Sequence, residues 1–300
     1  MAILTGLFFS NLIKPGIGAN IIANSSFDPS KIQTPGSTLD ILIRMIPTNP
    51  FQALANGDML GIIFFAIFFG IVLNMIDRTK SSKLIDIIDA FFNVIMKITQ
   101  IIISLAPLGV LGLMTKTVYT SGLDIFINLA KYMLTISLGL SVHLFITLPI
   151  IIILFLHINP IIHFKAMASA MLTAFSTSSS NATLPVTIKC VRDNAKVSNE
   201  VSSFVLPMGA TVNMDGTALY ECAGVLFISQ VLGVAMGIEQ QLVIVVTALL
   251  ASIGAAGIPS AGLVMIFIVT QAVGFNDEQV ALIIGAMLAV DRPLDMIRTM

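Results

Sequence analysis

The sequence predicts an all-α, multi-span integral membrane protein with two re-entrant helical hairpins arranged as an inverted repeat. Three observations predict it. The chain is 56% hydrophobic and only 10% charged, with a mean hydropathy of +0.98, whereas a soluble domain carries about 25% charge. Two long apolar stretches are each interrupted by small and polar residues, at 176–181 and at 254–262. The apolar segment after each interruption carries acid, Asp215 and Glu221 after the first, Asp291 and Asp295 after the second.

The elements follow in chain order. Residues 1–14 read as the tail of a membrane helix, and 15–38, rich in Pro, Gly, Asn and Ser, as an exposed loop. Residues 39–46 read as a short helix closed by Pro47-Thr48-Asn49-Pro50. Residues 58–76 form an apolar helix able to cross about 30 Å of hydrocarbon. A longer one covers 84–116, with Pro107 as its kink point, and a third covers 124–157. Then come the first broken segment (about 163–190), a helix over 202–236, the second broken segment (about 239–275) and a last helix over 278–300.

Charge excludes some functions and orients the chain. A net charge of −1 argues against a nucleic-acid partner. Cys190 and Cys222 are too few for a disulfide framework and read as free buried thiols. Met1 to Leu12 lack the basic start and cleavage site of a signal peptide. No HExxH, GxSxG, phosphate loop or Cys-x-x-Cys is present. The serine run has no His or Lys base beside it, which weighs against a hydrolase. Two basic loops, Arg78/Lys80/Lys83 and Lys189/Arg192/Lys196, both belong on the cytoplasmic side. Two helices lie between them, so the segment at 163–190 must enter and leave from one side.

Charge inside the apolar segments points to function. A charge at the bilayer centre costs about 2.5–3.5 kcal/mol and by default marks a site. Asp291, Asp295, Arg298 and Thr299 recur at helical spacing and share one face. That face offers a carboxylate to an ammonium and a guanidinium to a carboxylate, as a zwitterion with an extra acid requires. The bland alternative is an Asp295–Arg298 pair at i,i+3 that neutralises itself. Asn213, Asp215 and Gly216 are weak helix formers within an apolar segment. Unwinding there would free oxygens for a hard cation such as Na⁺. Glu221, one turn beyond Thr217, has no base in its own helix and is a candidate proton carrier. Paired broken segments are themselves the sequence sign of a secondary transporter's binding site. An ion channel is the competing class, since wet acidic cavities also conduct.

Four ordered motifs carry a family resemblance. They are Thr177-Ser178-Ser179-Ser180-Asn181-Ala182-Thr183-Leu184-Pro185, Asn213-Met214-Asp215-Gly216-Thr217-Ala218-Leu219-Tyr220, Ala251-Ser252-Ile253-Gly254 with Gly257-Ile258-Pro259, and Asp291 with Asp295-Met296-Ile297-Arg298-Thr299. In these the chain resembles the dicarboxylate/amino acid:cation symporters, the glutamate transporter family. The resemblance implies a homotrimeric elevator transporter in the plasma or inner membrane, surrounded by lipid. Residues 1–116 would be a partial trimerisation scaffold and 117–300 the transport domain, with the chain cut short at both ends.

By position, the resemblance places substrate contacts at Ser178, Ser180, Thr217, Ile258, Gly262, Asp295, Arg298 and Thr299. It places sodium ligands at Gly209, Thr211, Asn213, Met214, Asp215, Ser252, Ile253 and Ala255. Arg298 with Asp295 implies glutamate or aspartate as substrate, over a C4-dicarboxylate or a neutral amino acid. Glu221 matches the position that carries a proton in proton-coupled members, so both Na⁺ and H⁺ are expected to couple. Asn181 departs from the Ser that many relatives have there.

Overall fold

The structure is a computed structural model that describes residues 1–19, 46–56, 59–105, 108–109, 111–112, 115, 118–119, 125–255, 257, 260–275 and 277–300. The described residues are helical throughout, with no strand among them. The expected helix at 39–46 and the kink at Pro107 lie outside these residues.

Two compact units are present, Met1–Pro35 with Thr117–Met300, and Gly36–Lys116. The second holds α2 (Pro50–Asn56), α3 (Met59–Leu73) and α4 (Arg78–Ser104). Asn49 starts α2 by accepting the amides of Phe51 and Gln52 at 3.0 and 3.3 Å, with Pro50 at the first helical position. α3 is apolar end to end, as expected, and α2 packs on it. α4 begins at Arg78, ahead of the expected 84, because Asp77 caps the Thr79 amide at 3.1 Å.

The larger unit holds α1 (Ala2–Ile13) and α5 (Ile125–Leu156), then seven further helices among the described residues. α5 matches the expected 124–157 and, among the described residues, alone has the length and apolarity to cross a membrane. It widens into π-helical turns at His143–Thr147 and Ile152–Leu156, on either side of Pro149. Proline has no N–H to give the regular ladder, so a wider turn accommodates it. The sequence reading divides the chain at 116/117. The compact units place α1 with the later residues, because α1 packs on α5 and α9.

Both broken segments are helical hairpins. α6 (Pro160–Thr177) starts on Asn159, which accepts the Ile161 amide at 2.9 Å. It ends on Ser178 in the left-handed region, φ 53°. Ser179 then caps α7 (Ser180–Asp193), so two residues reverse the chain and α7 packs back on α6. α10 (Ile238–Gly254) and α11 (Ala261–Ala272) form the second packed pair.

Between the hairpins, the expected helix over 202–236 is two helices. α8 (Asn199–Val212) starts earlier, on Ser198, which accepts the Val201 amide at 3.4 Å. The break is confined to Asn213 and Met214, with ψ 73° and 62°, and the helix resumes at Asp215 as α9 (Asp215–Val231). Gly233, with φ 71°, ends it short of 236. α12 (Asp277–Thr299) closes the chain.

α9 is the core of this unit. Thr217 through Ser229 are all buried, and α1, α5, α10, α11 and α12 surround them. A helix apolar on all sides must be enclosed in this way. Close approach comes from small residues rather than from excluded water, as in lipid. A Cβ added at Gly224 would lie 2.3 Å from Ile266, so α11 sits directly on that glycine.

Candidate functional site

A cavity of about 280 Å³ opens where three interruptions of regular helix meet α12. Its wall includes His143 on the π turn of α5, the α6–α7 tip, the Asn213-Met214 break and the end of α12. Ser178, Ser180, Thr217, Arg298 and Thr299, expected from the sequence as substrate contacts, line it together. Gly257 of the second hairpin lines it too. Gly262 is buried behind, where an added Cβ would come within 2.8 Å of the Tyr220 ring and 3.3 Å of the Arg298 guanidinium. Ile258 lies outside the described residues.

Asp295, also expected as a substrate contact, does not line the cavity and is paired with Arg298, which does. Asp295, fully buried, accepts from Arg298 Nε at 2.6 Å and Nη2 at 2.5 Å, and from the Ser260 amide of the second hairpin. Arg298 also donates from Nη1 to Thr217 Oγ1 at 2.5 Å and lies over the Tyr220 ring, 5.5 Å from its centre. The i,i+3 pair considered from the sequence is therefore formed, and it is not isolated. It ties α12 to α9 and to the α10–α11 tip. Asp291, one turn earlier, accepts from Tyr220 OH at 2.8 Å, while Arg292 is exposed. A buried pair is stable only when further hydrogen bonds occupy its remaining groups, and here they do.

The proposed cation ligands fall into two groups. Asn213, Met214 and Asp215 line the cavity at the break, with Asn213 and Asp215 exposed to it. Gly209 and Thr211 lie in the last turn of α8, and Ser252, Ile253 and Ala255 at the end of α10, none of them lining that cavity. α8 and α10 pack on each other. The Thr211 and Ser252 hydroxyls donate within their own helices, to Met208 O at 3.0 Å and Leu249 O at 2.9 Å. That leaves their oxygen lone pairs free to accept or coordinate.

Glu221 is 0% exposed, and neither carboxyl oxygen has a hydrogen-bond partner among the described residues.

Three site residues escape a sequence reading. His143 contacts Asp215 Oδ2 through Nε2 at 3.3 Å, and its own side chain is nearly buried. Its position beside the Pro149 disturbance was the available signal. Tyr220 holds both Asp291 and the Arg298 face, and its place within the second motif was the signal there. Ser179, one of a run, is distinguished only by its contacts: it bonds Gly257 O at 2.7 Å.

The model of the sodium:dicarboxylate symporter family matches residues 1–300. The chain is 45% identical to human excitatory amino acid transporter 3 over 244 residues, covering 81% of this chain and 46% of that protein. It is 42% identical to mouse excitatory amino acid transporter 4, over 88% of this chain and 46% of the relative. Against human excitatory amino acid transporter 1 it is 38% identical, over 97% and 54%. The chain thus spans about half the length of the curated relatives it matches. With a family match over all of its residues and a site assembled from helix interruptions, the chain belongs to the sodium:dicarboxylate symporter family.

Proposed function

We propose that the protein is a sodium-coupled symporter of an acidic amino acid, glutamate or aspartate, in the plasma or inner membrane. The observation that carries this reading is the Asp295–Arg298 pair, in which Arg298 lines a cavity walled by hairpin tips and Asp295 lies fully buried behind it. A zwitterion with a second carboxylate can replace that internal pair with two external ones. Its ammonium takes Asp295, with Thr299 beside it, and its side-chain carboxylate takes the Arg298 fork. Its main-chain carboxylate meets the start of α7 near Ser178 and Ser180, where helix amides point outward. The names of the excitatory amino acid transporters it resembles agree with that chemistry.

Sodium couples through oxygen. The Asn213-Met214 break and Asp215 supply a carboxylate and unwound backbone facing the cavity. Gly209, Thr211, Ser252, Ile253 and Ala255 supply a second oxygen-rich region between α8 and α10. Glu221 carries a co-transported proton, since it is a buried carboxyl group that no donor among the described residues holds. The hairpins act as re-entrant elements of an inverted repeat. The larger part of the chain moves as an elevator within a homotrimer embedded in lipid.

The test is uptake of labelled aspartate into proteoliposomes holding the whole protein, with and without a Na⁺ gradient. Gradient-driven uptake of aspartate or glutamate is expected. Uptake of alanine, serine or a C4-dicarboxylate alone would overturn the reading of Arg298. Substrate-independent ion current without coupled uptake would make the protein a channel.

A further inference from the structure

The Ser179 hydroxyl occupies a position that substrate contact does not explain. It accepts the Ala182 amide at 3.2 Å, capping α7, and donates to Gly257 O at 2.7 Å on the other hairpin. It therefore belongs to both tips at once. Gly257 O also accepts from the Asn181 amide, at 3.4 Å. An added Cβ at Gly257 would meet Asn181 Oδ1 at 3.0 Å and Asn181 Cγ at 3.1 Å. A side chain at 257 would press on Asn181, so the two tips lie close together.

Both tips wall the cavity, through Ser178 and Ser180 on one side and Gly257 on the other. Parting them must break the Ser179–Gly257 bond, which is buried. The same tip of α11 delivers the Ser260 amide to Asp295. A change at Ser179 would thus be felt at the binding charges without any contact to them.

We propose that Ser179 is a positioning residue whose hydroxyl clasps the two hairpin tips together over the binding cavity, with Asn181 setting how closely they pack. The clasp explains why one serine of the run faces away from the cavity, while its neighbours Ser178 and Ser180 line it. It rests on the symporter reading for its purpose and on the two tips alone for its geometry.

The experiment places spin labels on the whole protein at Leu172→Cys in α6 and Val264→Cys in α11, both exposed. Native Cys190 and Cys222 are buried and leave the labels distinct. Inter-label distances are measured without any substrate. Ser179→Ala is expected to add a longer-distance population. Ser179→Thr, which keeps the hydroxyl, is expected to retain the single short one. Ser179→Val, which matches threonine in shape but lacks the hydroxyl, is expected to lengthen as Ser179→Ala does.

In parallel, aspartate dissociation is timed in Na⁺. Losing one neutral hydrogen bond of about 0.5–1.5 kcal/mol corresponds to roughly 2- to 12-fold faster release. Unchanged distances in Ser179→Ala would overturn the clasp. If Ser179→Ala does not fold, lengthening in Ser179→Val against Ser179→Thr supports it and none overturns it. Absence of aspartate binding by the unmutated protein would instead overturn the symporter reading, leaving the distance result intact.

Discussion

Asp295 and Glu221 are both 0% exposed, yet among the described residues one has several donors and the other has none. Asp295 sits where α12, α9 and the second hairpin tip converge, and accepts N–H groups from Arg298 and Ser260. Glu221 sits on α9 between Tyr220 and Cys222, both fully buried. The difference teaches that burial alone does not define a role. A carboxylate surrounded by donors is a fixed charge that can be exchanged for a ligand's. A carboxyl group without donors holds no partner in place and is free to gain or lose a proton when its surroundings change.

The largest break in this comparison is Asp295→Ala. It strands the Arg298 guanidinium and the Ser260 amide in a buried site. Removing one member of a buried pair costs about 3–5 kcal/mol, more than a hundredfold in affinity. Aspartate-dependent stabilisation in Na⁺ is expected to vanish in a thermal-shift assay. A variant that still binds aspartate would end the claim that Asp295 is the exchangeable charge.

Next comes Gly216→Ala, which separates the two helices that carry the two acids. A Cβ there would lie 2.5 Å from Arg298 O, a backbone atom that cannot swing aside. Overpacking of this kind costs about 1–3 kcal/mol. A lowered unfolding temperature with weakened aspartate binding is expected; unaltered binding would show that the α9–α12 contact does not set the Arg298 position.

Glu221→Gln sharpens the other side. No hydrogen bond is lost, so stability is expected to change by less than about 1 kcal/mol. Uptake is expected to lose its pH dependence, measured as initial rate from pH 5.5 to 8.5. Retained pH dependence would remove Glu221 from the proton path.

The smallest effect belongs to an exposed pair, Arg192–Asp193, at 2.8 Å in the last turn of α7. The Arg192 hydrogen bond holds the Asp193 carboxyl below its ordinary range. A lowered folded value stabilises above about pH 4 and fades as pH falls through it. Arg192→Ala can thus cost stability only above that pH. Solvent screening should keep even that below detection in denaturation at pH 7 and pH 3.

Much of the site was legible from residue order. Weak helix formers at Asn213, Asp215 and Gly216 marked the break, and the structure narrows it to Asn213 and Met214. Serines and glycines marked the two tips. The spacing of Asp291, Asp295 and Arg298 marked one face of α12. What stayed hidden was pairing across the chain: Thr217 with Arg298, 81 residues apart, Tyr220 with Asp291, 71 apart, and His143 with Asp215.

The sequence by itself determined that the chain is an apolar helical protein, where its helices are interrupted and which charges enter the apolar segments. Those are local properties, read from periodicity, polarity and the cost of charge in hydrocarbon. Only the tertiary structure decided that, among the described residues, Asp295 has donors and Glu221 has none, and that the Ser179 hydroxyl joins the tips. It also packed α1 onto α5 and α9. The physical reason is that a hydrogen-bond partner depends on which helix packs beside which. On α9, enclosed on all sides, neighbouring positions meet different helices, and no local pattern of residues records that choice.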